Sequence, residues 1–240
     1  MRVPRLYLDA DLTEGATLDL PPDRFNYLRN VLRLRPEAPV RVFDGRGREA
    51  AAVFLPDRRD GRLAVGAVED RDRESPLNVH ILQGISKGER MDLVVQKAVE
   101  LGVKRITPVR MARSVVDLKG DRARRRHARW REIAINACEQ CGRNHLPVID
   151  PIADLPAALE SVDSAAQRWV LHTAESDTGQ VSDVRQACLA IGPEGGLTDE
   201  EVAQCEQAGF SALWLGPRIL RTETAAIAAL AIMQARFGDM

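Results

Sequence analysis

The hydrophobic pattern of this 240-residue chain changes its period near residue 70, and this change constrains the fold more than any other feature. Before it, short alternating apolar runs at 40–43, 52–55 and 63–65 are separated by Gly, Pro and Asp turns. Such alternation is typical of half-buried strands. After it, strand-length apolar runs alternate with helical stripes. We therefore expect a small β domain followed by an α/β domain.

The α/β part begins after Pro76. Strands are expected at 79–82, 103–109, 169–171, 188–191 and 213–215, and helices at 91–101, 130–141, 198–208 and 224–237. Thr198 and Glu201 have the spacing of a capping box, which supports the third helix. Strands that alternate with helices of this length predict a mostly parallel sheet covered on both faces.

The β part contains one helical segment. Asp23 is expected to cap a helix over residues 24–34, on which Arg29 and Arg33 would share a face. The charged stretch 69–76 ends in Ser-Pro and is interpreted as a linker. The sequence thus predicts a β domain at 1–72 and an α/β domain at 73–240.

Charge is unevenly distributed along the chain. Residues 75–150 carry 15 basic and 8 acidic side chains, whereas residues 151–240 carry 5 and 13. Arginine outnumbers lysine by 30 to 4, and arginine suits bidentate recognition of phosphate. Codon bias explains such a ratio equally well, but it does not explain why the positive charge collects in one third of the chain. The central block therefore favours an anionic partner.

Other classes of protein are disfavoured by composition. No apolar run approaches the ~18 residues of a membrane span, and the N-terminus has no signal-peptide core. The four cysteines form no disulfide framework. Cys138 and Cys141 make a CxxC near His145, but both lie on an apolar helical stripe, which favours core packing over metal binding. We expect a reduced cytoplasmic protein with neither a membrane segment nor a metal site.

Three loops follow predicted strands. They begin at Leu171, at Ile191 and at Leu215. Ligands of open α/β sheets bind outside the carboxyl ends of the strands, and glycine lets the main chain approach them closely. The chain has neither a GxGxxG nor a GxxxxGK[ST] motif, so dinucleotide and P-loop sites are disfavoured. Taken alone, the GPEGG loop at 192–196 also fits a simple glycine turn into a capped helix.

Taken together, the loop sequences carry a resemblance. IGPEGGLTDEE at 191–201 and LGPRILRTETA at 215–225 closely resemble the SPOUT class of S-adenosylmethionine-dependent RNA methyltransferases. The segments QGISKGERMDLVVQKAVELGV (83–103), RSVV (113–116), EQCGR (139–143) and RFNYLRNVLR (24–33) resemble the bacterial family that methylates N3 of a uridine in 16S ribosomal RNA. The resemblance covers nearly the whole chain.

The resemblance implies an α/β fold: a C-terminal SPOUT-type domain with a deep trefoil knot and a small N-terminal PUA-like β-barrel that binds RNA. It also implies a homodimer that acts on 16S rRNA, within the small ribosomal subunit. S-adenosylmethionine would lie against the three loops. The residues so implied are Leu171, His172, Ile191, Gly192, Gly196, Leu215, Gly216, Ile219, Leu220 and Thr224.

Catalytic and RNA-binding candidates follow from the chemistry that the resemblance implies. N3 of uracil must lose a proton, and a carboxylate with a nearby cation would assist. The candidates are Arg221, Glu223 and Glu194. The other interpretations are an ion pair between Arg221 and Glu223 within their loop and a structural hydrogen bond of Glu194 inside the glycine loop. The expected RNA-binding residues are Arg24, Arg29, Arg33, Lys87, Arg90, Arg113 and Arg143. The arginine run at 122–131 is a further candidate for contact with RNA, and its other interpretation is a solvated helix face.

Two other functions are considered. One is a different SPOUT activity, ribose 2′-O methylation, which the segments at 83–143 disfavour. The other is a non-catalytic RNA-binding protein. The intact GPEGG and RTETA loops disfavour it, because such a protein does not need a pocket for a methyl donor.

Overall fold

The computed structural model describes residues 3–116, 118–172 and 182–240. They form two compact units. The first comprises Met1–Glu74 with Cys138–Leu146, and the second comprises Ser75–Ala137 with Pro147–Met240. A nine-residue segment from the second half of the sequence therefore belongs to the first unit, which the pattern of the chain does not reveal.

The first unit is built on a five-stranded sheet. Its strands are β1 (Arg5–Tyr7), β2 (Thr17–Asp19), β3 (Pro39–Phe43), β4 (Arg48–Pro56) and β5 (Gly61–Asp70), in the order β1-β3-β4-β5-β2. All neighbours are antiparallel except β1, which pairs with β3 in parallel. The alternating runs in the sequence correctly predicted β3, β4 and β5. They did not reveal β1 and β2, because three residues are too few to show a period.

The helical segment of this unit differs from its prediction. It consists of a short helix α1 (Pro22–Asn26) and a π-helical turn (Tyr27–Val31). The helix begins at Pro22, whose φ suits the first helical turn, and its N-cap Pro21 provides no side-chain hydrogen bond. Asp23 therefore lies inside the helix and does not cap it as predicted. Arg33 lies beyond the helical residues with a φ of 53°, so Arg29 and Arg33 do not share a helix face.

The charged stretch predicted as a linker is instead held by ion pairs. Glu69 and Asp70 are the last residues of β5. Arg73 donates to the Gly142 carbonyl at 2.9 Å, and Glu74 pairs with Arg143 at 2.6 Å. These contacts join residues that are about 70 positions apart and explain why 138–146 packs with the first unit.

The second unit contains an α/β sheet in which every pairing is parallel. Its strands are β6 (Asn78–Gly84), β7 (Arg105–Arg110), β8 (Val148–Ile149), β9 (Ala153–Asp154), β10 (Gln167–Leu171), β11 (Gln186–Ile191) and β12 (Ser211–Leu213). Its helices are α2 (Glu89–Glu100), α3 (Gly120–Cys141), α4 (Leu155–Glu160), α5 (Asp199–Gln207) and α6 (Thr222–Phe237). The strand order is β12-β10-β11-β6-β7-β8, with β9 also paired to β7. The predicted mostly parallel sheet is confirmed.

Several boundaries differ from the sequence prediction. The helix α3 begins ten residues before the predicted apolar stripe and includes the arginine run. The prediction missed these first turns because they are mostly charged and show no apolar stripe. The helix α6 begins at Thr222, so Thr222 and Glu223 are helical. The capping box of α5 is confirmed, with Thr198 and Glu201 bonded reciprocally. No helix within the described ranges has the length and hydropathy needed to cross a bilayer.

Three of the four cysteines behave as core residues, and Cys141 is half-buried. Cys138, Cys188 and Cys205 are buried and free. Burial raises the pKa of the Cys138 thiol to about 12, against the opposing effect of Arg143. The thiol donates to the His145 carbonyl at 3.7 Å. A thiol in this state is protonated at neutral pH, which suits packing and not metal ligation.

Candidate active site

A cavity of about 380 Å³ opens at the carboxyl ends of β10, β11 and β12. These strands are adjacent and parallel, so the loops that follow them emerge at the same edge of the sheet. The cavity is of a size that holds small organic ligands. It is lined by Arg113, Leu171, His172, Ile191, Gly192, Pro193, Glu194, Gly195, Gly196, Leu197, Leu213, Leu215, Gly216, Pro217, Arg218, Ile219, Leu220, Thr222 and Ala225.

The glycine loop after β11 depends on close backbone contact with β6. A Cβ added at Gly84 would lie 2.5 Å from the Pro193 nitrogen, so only glycine permits this approach. Gly196 has a φ of 71°, and its N–H donates to the Pro193 carbonyl at 2.9 Å. The loop is therefore a tight turn whose three glycines leave main chain open to the cavity.

Two polar residues outside the loop hold it in place. Arg113 donates to the carbonyls of Gly195 and Leu197 at 3.2 and 3.0 Å. Glu201, in the first turn of α5, accepts from the Ala112 N–H at 2.7 Å. The segment around Arg113 is thereby fixed to the loop, and Arg113 becomes part of the cavity wall.

The start of α6 is fixed by a buried hydrogen-bond chain. Gln83 on β6 donates to the Thr222 hydroxyl at 3.1 Å, and that hydroxyl donates to the Gly192 carbonyl at 2.7 Å. Both side chains are buried. Sequence reasoning did not select either residue, although a glutamine inside the apolar run of β6 is a signal that could have been followed.

The structure brings together most of the residues predicted to bind the cofactor. Nine of the ten line the cavity: Leu171, His172, Ile191, Gly192, Gly196, Leu215, Gly216, Ile219 and Leu220. Thr224 is not among the lining residues, because α6 begins two residues earlier and turns it to the exposed surface.

Glu194 lies in the cavity wall with two strong donors. Its Oε1 accepts from the Lys87 N–H at 2.8 Å and from Arg90 at 2.9 Å, while its Oε2 is buried and has no partner within the described residues. Burial alone would raise the pKa of this carboxyl, but the backbone hydrogen bonds and Arg90 lower it below its usual value. Glu194 is therefore ionised at neutral pH. These donors belong to α2 and to the segment just before it, so Glu194 is not bonded only within its own loop as one interpretation of the sequence suggested.

Glu223 and Arg221 are arranged differently from the sequence expectation. Glu223 lies in the first turn of α6, and its Oε1 is 4.0 Å from Nε of Arg90. Its partner is thus on α2 and not in its own loop, so the suggested ion pair with Arg221 is not formed. Arg221 is exposed, and neither residue lines the cavity. Arg90 consequently contacts both candidate carboxylates.

The residues expected to bind RNA fall into two groups. Arg29, Arg33, Lys87, Arg90 and Arg113 are exposed. Arg24 is half-buried and lies 3.6 Å from Glu139, and Arg143 is 5% exposed and bonded to Glu74. Arg143 therefore stabilises the first unit, and we do not retain it as an RNA contact.

Comparison with protein families identifies the class. Residues 73–234 match the model of the RNA methyltransferase domain, and residues 20–56 match that of the RNA methyltransferase PUA domain. The chain belongs to this family of RNA methyltransferases.

Individual relatives are similar over their full length. The ribosomal RNA small subunit methyltransferase E of Buchnera aphidicola is 31% identical over 99% of this chain and 95% of its own. The crystal structure of the protein of that name from Neisseria gonorrhoeae, bound to S-adenosyl methionine, is 40% identical with a TM-score of 0.92 over 100% of both chains. A putative methyltransferase of Legionella pneumophila, in complex with the same cofactor, is 37% identical with a TM-score of 0.95 over 100% of both chains.

Proposed function

We propose that this protein uses S-adenosylmethionine to methylate N3 of one uridine in 16S rRNA. The observation that carries the proposal is the cavity, in which three strand-end loops of a chain from an RNA methyltransferase family converge. The names and bound cofactor of its full-length relatives support the same reaction and the same RNA.

The cavity fits such a cofactor in size and in lining. Leu171, Ile191, Leu215 and Leu220 offer apolar side chains suited to an adenine ring, and the glycine loop offers exposed main chain. When bound, S-adenosylmethionine supplies an activated methyl group on a sulfonium, and the new N3–C bond forms as the S–C bond breaks to leave a neutral thioether. The protein contributes position, because binding both reactants replaces a bimolecular encounter by an oriented one.

Glu194 is the carboxylate that we propose to face the reacting base. It is ionised and lines the cavity, and its Oε2 has no partner within the described residues, so it can accept a hydrogen bond from the uracil N3–H. A carboxyl whose pKa is lowered holds a proton weakly. Glu194 would therefore accept the proton only as the methyl group arrives, and then release it to water. Glu223 and Arg90 position Glu194 in this proposal, and Arg221 meets the RNA at the rim.

The proposal also includes the architecture expected of the family. The first unit would form a PUA-like barrel that binds RNA, supported by the family match at 20–56. The second would contain the trefoil knot expected of this class, supported by the family match at 73–234. Two copies would form a dimer, supported by the apolar helix α6, on which Ile232 is 36% exposed. Sedimentation at micromolar concentration tests the dimer, and a monomeric mass would contradict it.

The reaction is tested on the RNA of a strain that lacks this protein. Small-subunit RNA would be digested to nucleosides and analysed by mass spectrometry. We expect 3-methyluridine to be absent there and to return with the wild-type gene, but not with Glu194→Gln at equal expression. Persistence of 3-methyluridine in the deletion strain would refute the proposal, and loss of a 2′-O-methylated nucleoside instead would establish the alternative SPOUT activity.

A binding experiment separates an enzyme from a non-catalytic RNA-binding protein. Calorimetry with S-adenosylhomocysteine, the product that shares all but the methyl group, should show one site per chain. A folded protein with no measurable binding would favour the non-catalytic alternative.

A further inference from the structure

The helix α3 carries a basic stripe, which we define as Arg122, Arg125 and Arg129. The helix has six arginines and one aspartate between residues 120 and 131. Three of the arginines follow the i, i+3, i+7 spacing that aligns side chains along one face. All three are exposed, while Trp130 on another face is buried.

Two of the three stripe residues, Arg122 and Arg125, lack the acidic partner that a solvated helix surface usually provides, whereas Arg129 is paired with Asp92. Arg122 and Arg125 have neither a hydrogen bond nor an ion pair to any residue in the described part of the chain. Arg126 and Arg131 on its flanks are in the same situation. Lone guanidinium groups at this density repel one another, so their net effect on the isolated protein is unfavourable. An anionic partner would remove this repulsion.

Contacts within the second unit connect the stripe to the cavity. Arg129 bonds Asp92 on α2 at 2.7 Å, and Arg90 of the same helix bonds Glu194 in the cavity wall at 2.9 Å. Lys87 and Arg113 are exposed beside Glu194 and the glycine loop. Basic groups therefore extend from the cavity rim along α2 to α3.

We propose that the basic stripe of α3 binds phosphates of the RNA strand whose uridine occupies the cavity. Arg122 and Arg125 lie about one helical turn of ~5.4 Å apart, so each can take a separate phosphate, while Arg129 remains paired with Asp92 beside them. Guanidinium groups bind phosphate through paired hydrogen bonds, and such contacts hold the backbone without reading the sequence. The proposal rests on the proposed function, because it assigns a second contact region to the same RNA.

Salt dependence of RNA binding tests the stripe directly. The probe is a transcript of small-subunit rRNA, and the protein is the full chain, as wild type and as Arg122→Gln/Arg125→Gln. Each lost phosphate contact lowers the slope of log K against log salt by roughly 0.7 to 0.9. We expect the slope to fall by about 1.5 and the affinity at 0.15 M salt to fall roughly tenfold or more.

Two further variants make the result specific. Lys97→Gln/Arg185→Gln removes two charges elsewhere from the same unit, where Lys97 pairs with Glu100 and Arg185 with Asp183, and should leave the slope unchanged. Arg122→Lys/Arg125→Lys keeps the charge and should retain most of the slope. S-adenosylhomocysteine affinity should be equal in all of them, which confirms that the cavity and the fold are intact.

An unchanged slope in the glutamine variant, or an equal fall in the control pair, would overturn the proposal and return the stripe to the role of a solvated surface. Failure of the proposed function gives a different result, since wild-type protein would then leave the transcript and the small subunit unmethylated whatever the variants do.

Discussion

At the scale of single residues, carboxylates held by arginine organise both units. Glu49 is fully buried in the first unit and pairs with Arg5 and Arg41. Burial acts to raise the pKa of Glu49, but the two arginines lower it below its usual value. Glu194 in the second unit is only half-buried, but backbone hydrogen bonds and Arg90 likewise lower the pKa of its carboxyl against the effect of burial. Arg5 lies 44 positions from Glu49 and Arg90 lies 104 positions from Glu194, so the pattern of the chain does not reveal these two pairs.

Replacement of Glu49 tests the role of the buried pair. Glu49→Gln places a neutral amide beside Arg5, whose side chain is only 8% exposed. Because a buried charge then lacks its partner, we expect the free energy of unfolding to fall by about 3 kcal/mol. The control is Glu69→Gln on the neighbouring strand, whose side chain is 58% exposed and should cost under about 0.5 kcal/mol. Urea denaturation at pH 7 measures both, and equal effects would contradict the prediction.

Gly196 offers a test of the cavity itself. An added Cβ meets only the Arg113 guanidinium at 4.0 Å, so Gly196→Ala has room and carries only the strain of a positive φ. Gly196→Trp has the same backbone strain but fills the cavity. We expect the tryptophan variant to lose S-adenosylhomocysteine binding in calorimetry while the alanine variant keeps it. RNA affinity should survive in both, and a parallel loss of RNA binding would show that the two sites are not separate.

At the scale of elements, the helices were easier to predict than the short strands. The stripes of α2, α3 and α6 run for more than two turns and are visible in the sequence. The strands β8 and β9 have two residues each, and they exist because β7 offers them an edge to pair with. The start of α6 was misplaced for a similar reason, since hydrogen bonds from Gln83 to Thr222 and from Thr222 to the Gly192 carbonyl fix it.

Strand β6 carries a largely buried histidine, His80, that should make stability depend on pH. Burial, with a further contribution from Arg105, lowers the pKa of His80 to about 4, although Asp150 opposes the shift. The unfolded chain has the ordinary value near 6.5 and therefore binds a proton first as the pH falls. The free energy of unfolding is therefore at its full value above pH 6.5 and falls as the pH drops towards 4. About 2 kcal/mol of it should be lost by pH 5.

The measurement compares wild type with His80→Gln, which can still hydrogen-bond the Thr107 hydroxyl that lies 2.7 Å from the His80 ring. The difference in unfolding free energy between the two proteins should change by about 2 kcal/mol between pH 7 and pH 5. A difference that stays constant over this range would show that folding does not lower the pKa of His80.

At the scale of the whole molecule, the charge blocks acquire a structural meaning. The basic block of residues 75–150 contains the stripe of α3 and the basic rim of the cavity, whereas the acidic block contains the glycine loop and α5. A cationic cofactor and an anionic RNA would thus meet regions of opposite charge within one unit.

Ligand binding should stabilise the protein by mass action. S-adenosylhomocysteine at 100 times its Kd should raise the free energy of unfolding by about 2.7 kcal/mol. Thermal melting with and without ligand measures this, with Gly196→Trp as the control that should show no shift. A shift of equal size in that variant would place the ligand outside the cavity.

The sequence by itself determined the class of the fold, the order of the main strands and helices and the three loops of the cavity. These depend on local periodicity, on glycine and capping residues and on motifs that lie within short segments. Only the tertiary structure decided which side chains meet there. Glu194, Glu223 and Arg90 come from three separate segments, and 138–146 packs with the first unit across about 70 residues. Such contacts form when folding brings distant segments together and each buried charge is paired there. No local pattern of the sequence encodes them.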